Sequence, residues 1–248
     1  MSHRATRPDA QTIILVPGAW TGGWVWDPTA AVLRDQGHHV LTPTLPGLTA
    51  GADHAGITLD THVETITDLV SRATPGRVVL VGHSYSGLIV GQVADQLADR
   101  VTHTVFVEAF LPRDGRSLLD DFGEDAAERL AEREHIERHH AWLPPPEDAI
   151  ATEFDLTAGQ RRWLCAGFVP HPARTVLEPA RLSRPLNSLA ATVVVCRRDP
   201  QVPPPEPAPD LADLGWPVRT LVAGHWPMIS RPNELAEHIV AAADTDLP

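Results

Sequence analysis

Short apolar runs rich in β-branched residues recur along this chain. They alternate with stretches whose apolar residues fall three or four positions apart. Thr12-Ile13-Ile14-Leu15-Val16 is the first run. A strand in the middle of a parallel sheet is buried on both faces and reads this way. His39-Val40-Leu41-Thr42, Val78-Val79-Leu80-Val81, residues 101–107, Thr192-Val193-Val194-Val195-Cys196 and residues 217–222 repeat the pattern. Between them, residues 58–71 place Leu59, Val63, Ile66 and Val70 along one helical face. Ile89, Val93 and Leu97 mark a second helix, and Leu235, Ile239 and Ala242 mark the last. Asp27-Pro28 reads as an N-cap followed by proline at the first helical position, and Gly37 ends that helix. The alternation predicts an α/β fold, a mostly parallel sheet of about six strands flanked by helices.

The pattern changes after Pro112. Residues 113–182 are rich in charged helix formers such as Glu128, Arg129, Glu132 and Arg133, and Pro144-Pro145-Pro146 interrupts them. Trp142, Phe154, Trp163, Leu164 and Phe168 are the apolar anchors. This predicts a helical lid, or cap, inserted between two strands of a core made of residues 11–112 and 183–248. Residues 1–10 read as a flexible polar N-terminus, and the proline-rich residues 200–210 as a stiff loop before a helix.

The candidate chemistry starts in Val78-Val79-Leu80-Val81-Gly82-His83-Ser84-Tyr85-Ser86-Gly87. A strand, a tight turn carrying serine and a helix make a nucleophile elbow, whose signature is G-x-S-x-G. Ser86 stands where the second glycine belongs, with Gly87 one residue late. A serine hydroxyl needs a base to take its proton, usually a histidine oriented by a carboxylate. In this fold the order along the chain is serine, acid, histidine. Asp199 follows the strand of residues 192–196, and His225 follows the last strand. Both then fall at the carboxyl edge of the sheet, as Ser84 does, and catalytic groups of open α/β sheets gather there. The oxyanion hole needs two N–H donors. Tyr85 supplies one, with its ring expected to face the pocket, and Ala19 supplies the other after Gly18.

Composition narrows the partners. A formal charge of -12 argues against nucleic acid or an anionic membrane. No apolar run approaches a membrane span and no secretory leader is visible, so a cytoplasmic protein is expected. Cys165 and Cys196 lack metal-ligand spacing. His135 and His139 would share a helix face, but the surrounding Glu132, Glu134, Glu137 and Arg138 mark it as solvated, so no metal is expected. A homodimer is left open. Of seven tryptophans, Trp24 and Trp26 suit the core, while Trp20, Trp142, Trp163 and Trp226 are candidates for a hydrophobic substrate pocket.

Taken together, Val16-Pro17-Gly18-Ala19-Trp20-Thr21-Gly22-Gly23-Trp24, Gly82-His83-Ser84-Tyr85-Ser86-Gly87, Asp199-Pro200-Gln201-Val202-Pro203 and Gly224-His225-Trp226-Pro227-Met228 resemble the α/β-hydrolase superfamily. Within it, they are most similar to the branch of plant methyl-ester esterases and hydroxynitrile lyases with their bacterial relatives. The likeness spans most of residues 11–243 and is weakest in the lid before Trp163. It implies a cofactor-free serine esterase acting on a small to medium hydrophobic carboxylic ester, with Ser84, His225 and Asp199 as the triad. Relatives also include thioesterases, lactonases or cyclases of secondary metabolism and receptor-like binders of small molecules. Lyases of the branch resemble one another in a threonine at the Gly18 position and a lysine after the catalytic histidine. Here those positions hold Gly18 and Trp226, which disfavours a lyase. Some relatives take their acid from the strand ending at Val107, which makes Glu108 the alternative acid or a pocket residue. His83 is expected to be a structural hydrogen-bonder.

Overall fold

The computed structural model describes residues 10–73, 78–122, 125–199 and 209–244. The polar N-terminus at residues 1–9 and the proline-rich loop at residues 200–208 lie outside them. In chain order the strands are β1 (Thr12–Val16), β2 (His39–Leu41), β3 (Val78–His83), β4 (Val101–Val107), β5 (Ala141–Trp142), β6 (His171–Pro172), β7 (Ala191–Arg197) and β8 (Val218–Val222). The α-helices are α1 (Asp27–Asp35), α2 (Leu59–Arg72), α3 (Gly87–Gln96), α4 (Ala126–His139), α5 (Glu147–Ile150), α6 (Ala158–Gly167), α7 (Arg174–Leu177), α8 (Pro209–Leu214), α9 (Pro227–Ser230) and α10 (Pro232–Ala243).

Six strands form one sheet in the order β2-β1-β3-β4-β7-β8, and every neighbouring pair is parallel. The side chains of a strand alternate between the two faces. Ile13 and Leu15 of β1 therefore join Val79, Val81, Val105 and Val107 in a core closed by α1 and α10. Ile14 and Val16 join Leu80 and Phe106 in a second core closed by α2 and α3. Because both faces are covered, β1 and Val78-Val79-Leu80-Val81 of β3 are nearly continuous apolar runs, while β4 buries His103 and Thr104 among its apolar residues. β8 lies at the edge, so its apolar residues are less protected, and Val218 is 46% exposed.

Helix boundaries follow their caps. The Thr58 side chain accepts the Thr61 N–H at 3.0 Å and starts α2. α1 differs from the sequence reading. Asp27 is its first helical residue, Trp26 holds the N-cap position, and no side chain caps it. Gly37 follows α1 with φ +100°, a left-handed turn that costs glycine little.

The chain runs from β1 outward to β2, then back across β1 to β3. The connections after β1 and β3 thus leave in opposite directions. Such a reversal opens a crevice at the carboxyl ends of the two strands. Gly18, Ala19 and Ser84 all lie at that place.

The segment between β4 and β7 is an insert carrying α4 to α7 and the antiparallel β5–β6 ribbon. Its return to the core is fixed at α3. There the Asp95 carboxylate accepts Ser183 N–H at 2.6 Å, Ser183 Oγ–H at 2.8 Å and Arg184 Nε–H at 3.0 Å. Burial alone would raise the pKa of Asp95, but these donors and the Arg184 charge hold it below the usual carboxylate value.

Candidate active site

Ser84 has φ +52°, in the left-handed region, between the end of β3 and the start of α3. That conformation costs a non-glycine residue roughly 1–3 kcal/mol and persists only where packing enforces it. Its neighbours leave no slack. A Cβ on Gly82 would lie 2.5 Å from Val90 Cγ2, and one on Gly87 would collide with the Phe110 carbonyl. The Ser84 carbonyl accepts the Phe110 N–H at 3.1 Å.

Ser86 is more than a small residue that fits the turn. Its hydroxyl accepts the His83 N–H at 2.8 Å and stands 2.9 Å from both the Val16 and His83 carbonyls. Its single proton goes to one of those carbonyls. With the proton on the Val16 carbonyl, the hydroxyl fastens the end of β3 to the end of β1, and so the elbow to the loop that follows β1. Ser86→Ala leaves a buried N–H without this acceptor, at a cost of about 1–3 kcal/mol. Urea unfolding should show the loss as a lower midpoint with an unchanged slope. An unshifted midpoint would mean that the hydroxyl is dispensable.

The loop after β1 presses on the elbow. A Cβ on Gly18 would sit 2.7 Å from His83 Nδ1 and 3.1 Å from Ser84 Cβ, so only glycine fits there without displacing neighbours. A threonine at this position meets the same obstruction. Ala19 follows at 2% exposure. Trp20 then turns with φ +63° and is gripped by the insert. Its N–H donates to His171 Nδ1 at 3.4 Å, its Nε1–H to the Trp142 carbonyl at 3.0 Å, and its carbonyl accepts the Val169 N–H at 3.0 Å.

His225 lies on the short loop between β8 and α9, and its side chain is 36% exposed. Its carbonyl accepts the His83 Nε2–H at 2.8 Å, which makes His83 the structural hydrogen-bonder expected of it. Glu108 Oε2 stands 3.9 Å from His225 Nδ1. Glu108 leaves β4 with φ +45°, and its Oε1 accepts the Cys196 N–H of β7. Trp20, Ser84 and Glu108 thus share the positive-φ strain that clusters at functional sites. Asp199 is exposed, two residues beyond the end of β7, immediately before the residues outside the description. No hydrogen bond joins Ser84 Oγ to the His225 ring among the described residues.

Aromatic rings link the two loops. Trp142 packs on Trp20 at 4.3 Å between centroids, Trp20 on Phe168 at 6.3 Å, and Phe168 on Trp226 at 5.8 Å. Trp226 meets His225 at 5.4 Å. Three of the four tryptophans proposed for the pocket are therefore brought together. Phe168, read from sequence only as an anchor, completes the row. Trp163 is 42% exposed and stacks edge-on against Trp24 instead.

Tyr85 corrects one expectation. Its backbone follows Ser84, but its ring is fully buried rather than open to a pocket. Its hydroxyl meets His62 Nδ1 at 2.8 Å, and its ring lies 4.5 Å from that of His171. His62 Nε2–H donates to the Pro46 carbonyl at 2.8 Å, so Nδ1 accepts the tyrosine proton. Burial pushes the Tyr85 hydroxyl far up in pKa, and the group stays protonated.

Burial also lowers the pKa of three histidines: His62 from 6.5 to about 4, and His83 and His171 well below 6.5. The native protein holds them neutral, while the unfolded chain takes up their protons below about pH 6.5. Stability is therefore full above that pH and falls as the pH drops, for His62 down to its folded value of about 4. Each such group contributes up to about 1.4 kcal/mol per pH unit. Urea midpoints should fall steadily from about pH 7.5 to about pH 5, and a flat profile would contradict the neutral, buried assignment.

His135 and His139 do share a face of α4, with centroids 4.5 Å apart, His139 exposed and His135 half-buried. Among the described residues no helix is long and apolar enough to cross a membrane.

Residues 13–238 match the model of a family described as the alpha/beta hydrolase family. A carbendazim hydrolyzing esterase of Nocardioides sp. (strain SG-4G) is 31% identical over 242 residues, covering 92% of this chain and 98% of that protein. Methylesterase 1 of Arabidopsis thaliana is 24% identical over 94% of this chain and 96% of its own length. Among solved structures, an extracellular alpha/beta-hydrolase from a Paenibacillus species superposes with a TM-score of 0.78. It is 24% identical, over 94% of this chain and 98% of that one.

Proposed function

The chain belongs to the alpha/beta hydrolase family, and we propose that its carboxylic-ester hydrolysis runs through an acyl-enzyme on Ser84. The observation that carries this reading is the strained serine at the β1/β3 crevice. Its elbow is fastened to the loop of Gly18 and Ala19 and, through His83, to the His225 carbonyl.

Ser84 Oγ attacks the ester carbonyl as His225 takes its proton, and the bond to the carbonyl carbon forms. The oxyanion is held by the N–H groups of Ala19 and Tyr85, a device whose single donors are worth about 2.7–4 kcal/mol. The tetrahedral species collapses, the C–O bond to the leaving alcohol breaks, and His225 returns the proton to that oxygen. Water, activated by the same histidine, then cleaves the acyl-enzyme and releases the acid. Contacts between nucleophile and base are often loose before substrate binds and tighten with it.

In this reading Glu108 orients the imidazole, because it is the carboxylate facing His225 Nδ1. Asp199 is the second reading, favoured by its motif after β7. The row of Trp20, Trp142, Phe168 and Trp226 suits a small to medium hydrophobic acyl or aryl ester. The names of the relatives, a carbendazim hydrolyzing esterase and a methylesterase, agree with that class. Gly18 and Trp226 stand where lyases of the family carry other groups, which favours hydrolysis. The test is labelling by a fluorophosphonate probe together with turnover of short p-nitrophenyl esters. The adduct is expected on Ser84, and an adduct elsewhere, or none, overturns the reading.

A further inference from the structure

The base sits on a loop that strand pairing does not hold. β8 ends at Val222 and α9 begins at Pro227, so Gly224 and His225 have no ladder partners. Their N–H groups point instead at the insert. Glu153 Oε2 accepts the His225 N–H at 3.0 Å, and Asp155 Oδ2 accepts the Gly224 N–H at 2.8 Å. Both carboxylates come from the connection between α5 and α6, some 70 residues earlier in the chain.

The fit is close. A Cβ on Gly224 would collide with Glu153 Oε2 and lie 2.7 Å from Asp155 Oδ1, so glycine is what lets the two acids reach the backbone. Farther along, Gln160 Nε2–H of α6 donates to the Ile229 carbonyl of α9 at 3.0 Å. Leu156, between these contacts, is 4% exposed and belongs to the apolar cluster of Trp226, Met228 and Ile229. On the opposite side the His225 carbonyl receives the His83 Nε2–H. The backbone of His225 is thus held at its N–H by the insert and at its carbonyl by the elbow.

We propose that Glu153 and Asp155 are positioning residues that hold the His225 loop in register with Ser84 through its backbone N–H groups. The proposal rests on the reading of His225 as the base. The insert then does more than cover the sheet edge, since its docking brings the base to the nucleophile. Neither acid touches the substrate. What they require is an acceptor oxygen at each place, which glutamine and asparagine also supply.

The experiment compares the double variants E153A/D155A and E153Q/D155N with wild type. E153A/D155A should lose about 10²-fold in kcat, the penalty typical of a base displaced by about 1 Å, with little change in KM. E153Q/D155N should stay close to wild type. Amide hydrogen exchange gives a readout independent of turnover: Gly224 and His225 should lose protection in the alanine pair and keep it in the amide pair. The proposal fails if the folded alanine pair keeps its kcat or its amide protection. It fails equally if the loss lies in KM alone, or if the amide pair is as impaired as the alanine pair. Should the double alanine variant not fold, E153A alone carries the same comparison, with protection read at His225. Exchange that behaves as expected in a protein with no ester turnover would overturn the base reading and leave the clamp standing.

Discussion

Ser84→Ala is expected to lower kcat for short p-nitrophenyl esters by about 10⁶-fold, the loss seen when the nucleophile of a serine hydrolase is removed. On the proposed mechanism the substitution leaves His225 and the Ala19 and Tyr85 N–H groups in place but removes the oxygen that would form the acyl bond. The fold should survive it. The elbow is set by the close approach of Gly82 to Val90 and of Gly87 to Phe110 and by the Ser86 hydroxyl between β1 and β3. None of these uses Ser84 Oγ. Alanine meets the same φ of +52° that serine does, so little strain is gained or lost. The thermal midpoint should move only slightly, while fluorophosphonate labelling disappears. Activity within tenfold of wild type would remove Ser84 from the mechanism.

The second large effect separates the two candidate acids. Glu108→Gln is expected to lower kcat by about 10⁴-fold, as amide replacement of a triad carboxylate does elsewhere. The reason is the tautomer. Glu108 Oε1 is engaged by the Cys196 N–H, which leaves Oε2 toward His225 Nδ1. A glutamine that keeps its oxygen on Cys196 turns its NH₂ toward Nδ1. The imidazole then carries its proton on Nε2, where it cannot take the one from serine. Asp199→Asn should cost less than about tenfold in the same assay. The reverse pair of results would assign the orienting role to Asp199, and small losses in both would leave His225 without a carboxylate partner. Circular dichroism of each variant separates a lost role from a lost fold.

The strands were legible because a buried parallel strand is largely apolar on both faces, as in Thr12–Val16 and Val78-Val79-Leu80-Val81. The elbow was legible because its strain is local, with glycine, serine and the opening of the helix all within a few residues. Gly18 was legible for the same reason. β8 was recognised as a strand, but its place at the edge, and hence its exposure, was not, since edge position depends on which strand pairs last.

The site divides along the same line. Sequence by itself determined the α/β alternation, the serine on its turn and the histidine after the last strand, because each is written in neighbouring residues. Tertiary structure alone decided which carboxylate faces His225, where Tyr85 turns its ring, what Ser86 bonds and how Glu153 and Asp155 reach the His225 loop. Apart from the Ser86–His83 bonds, those contacts join residues 23 or more positions apart. They depend on strand order and on how the insert docks, and a charged side chain whose partner comes from a remote segment leaves no periodic mark in its own neighbourhood.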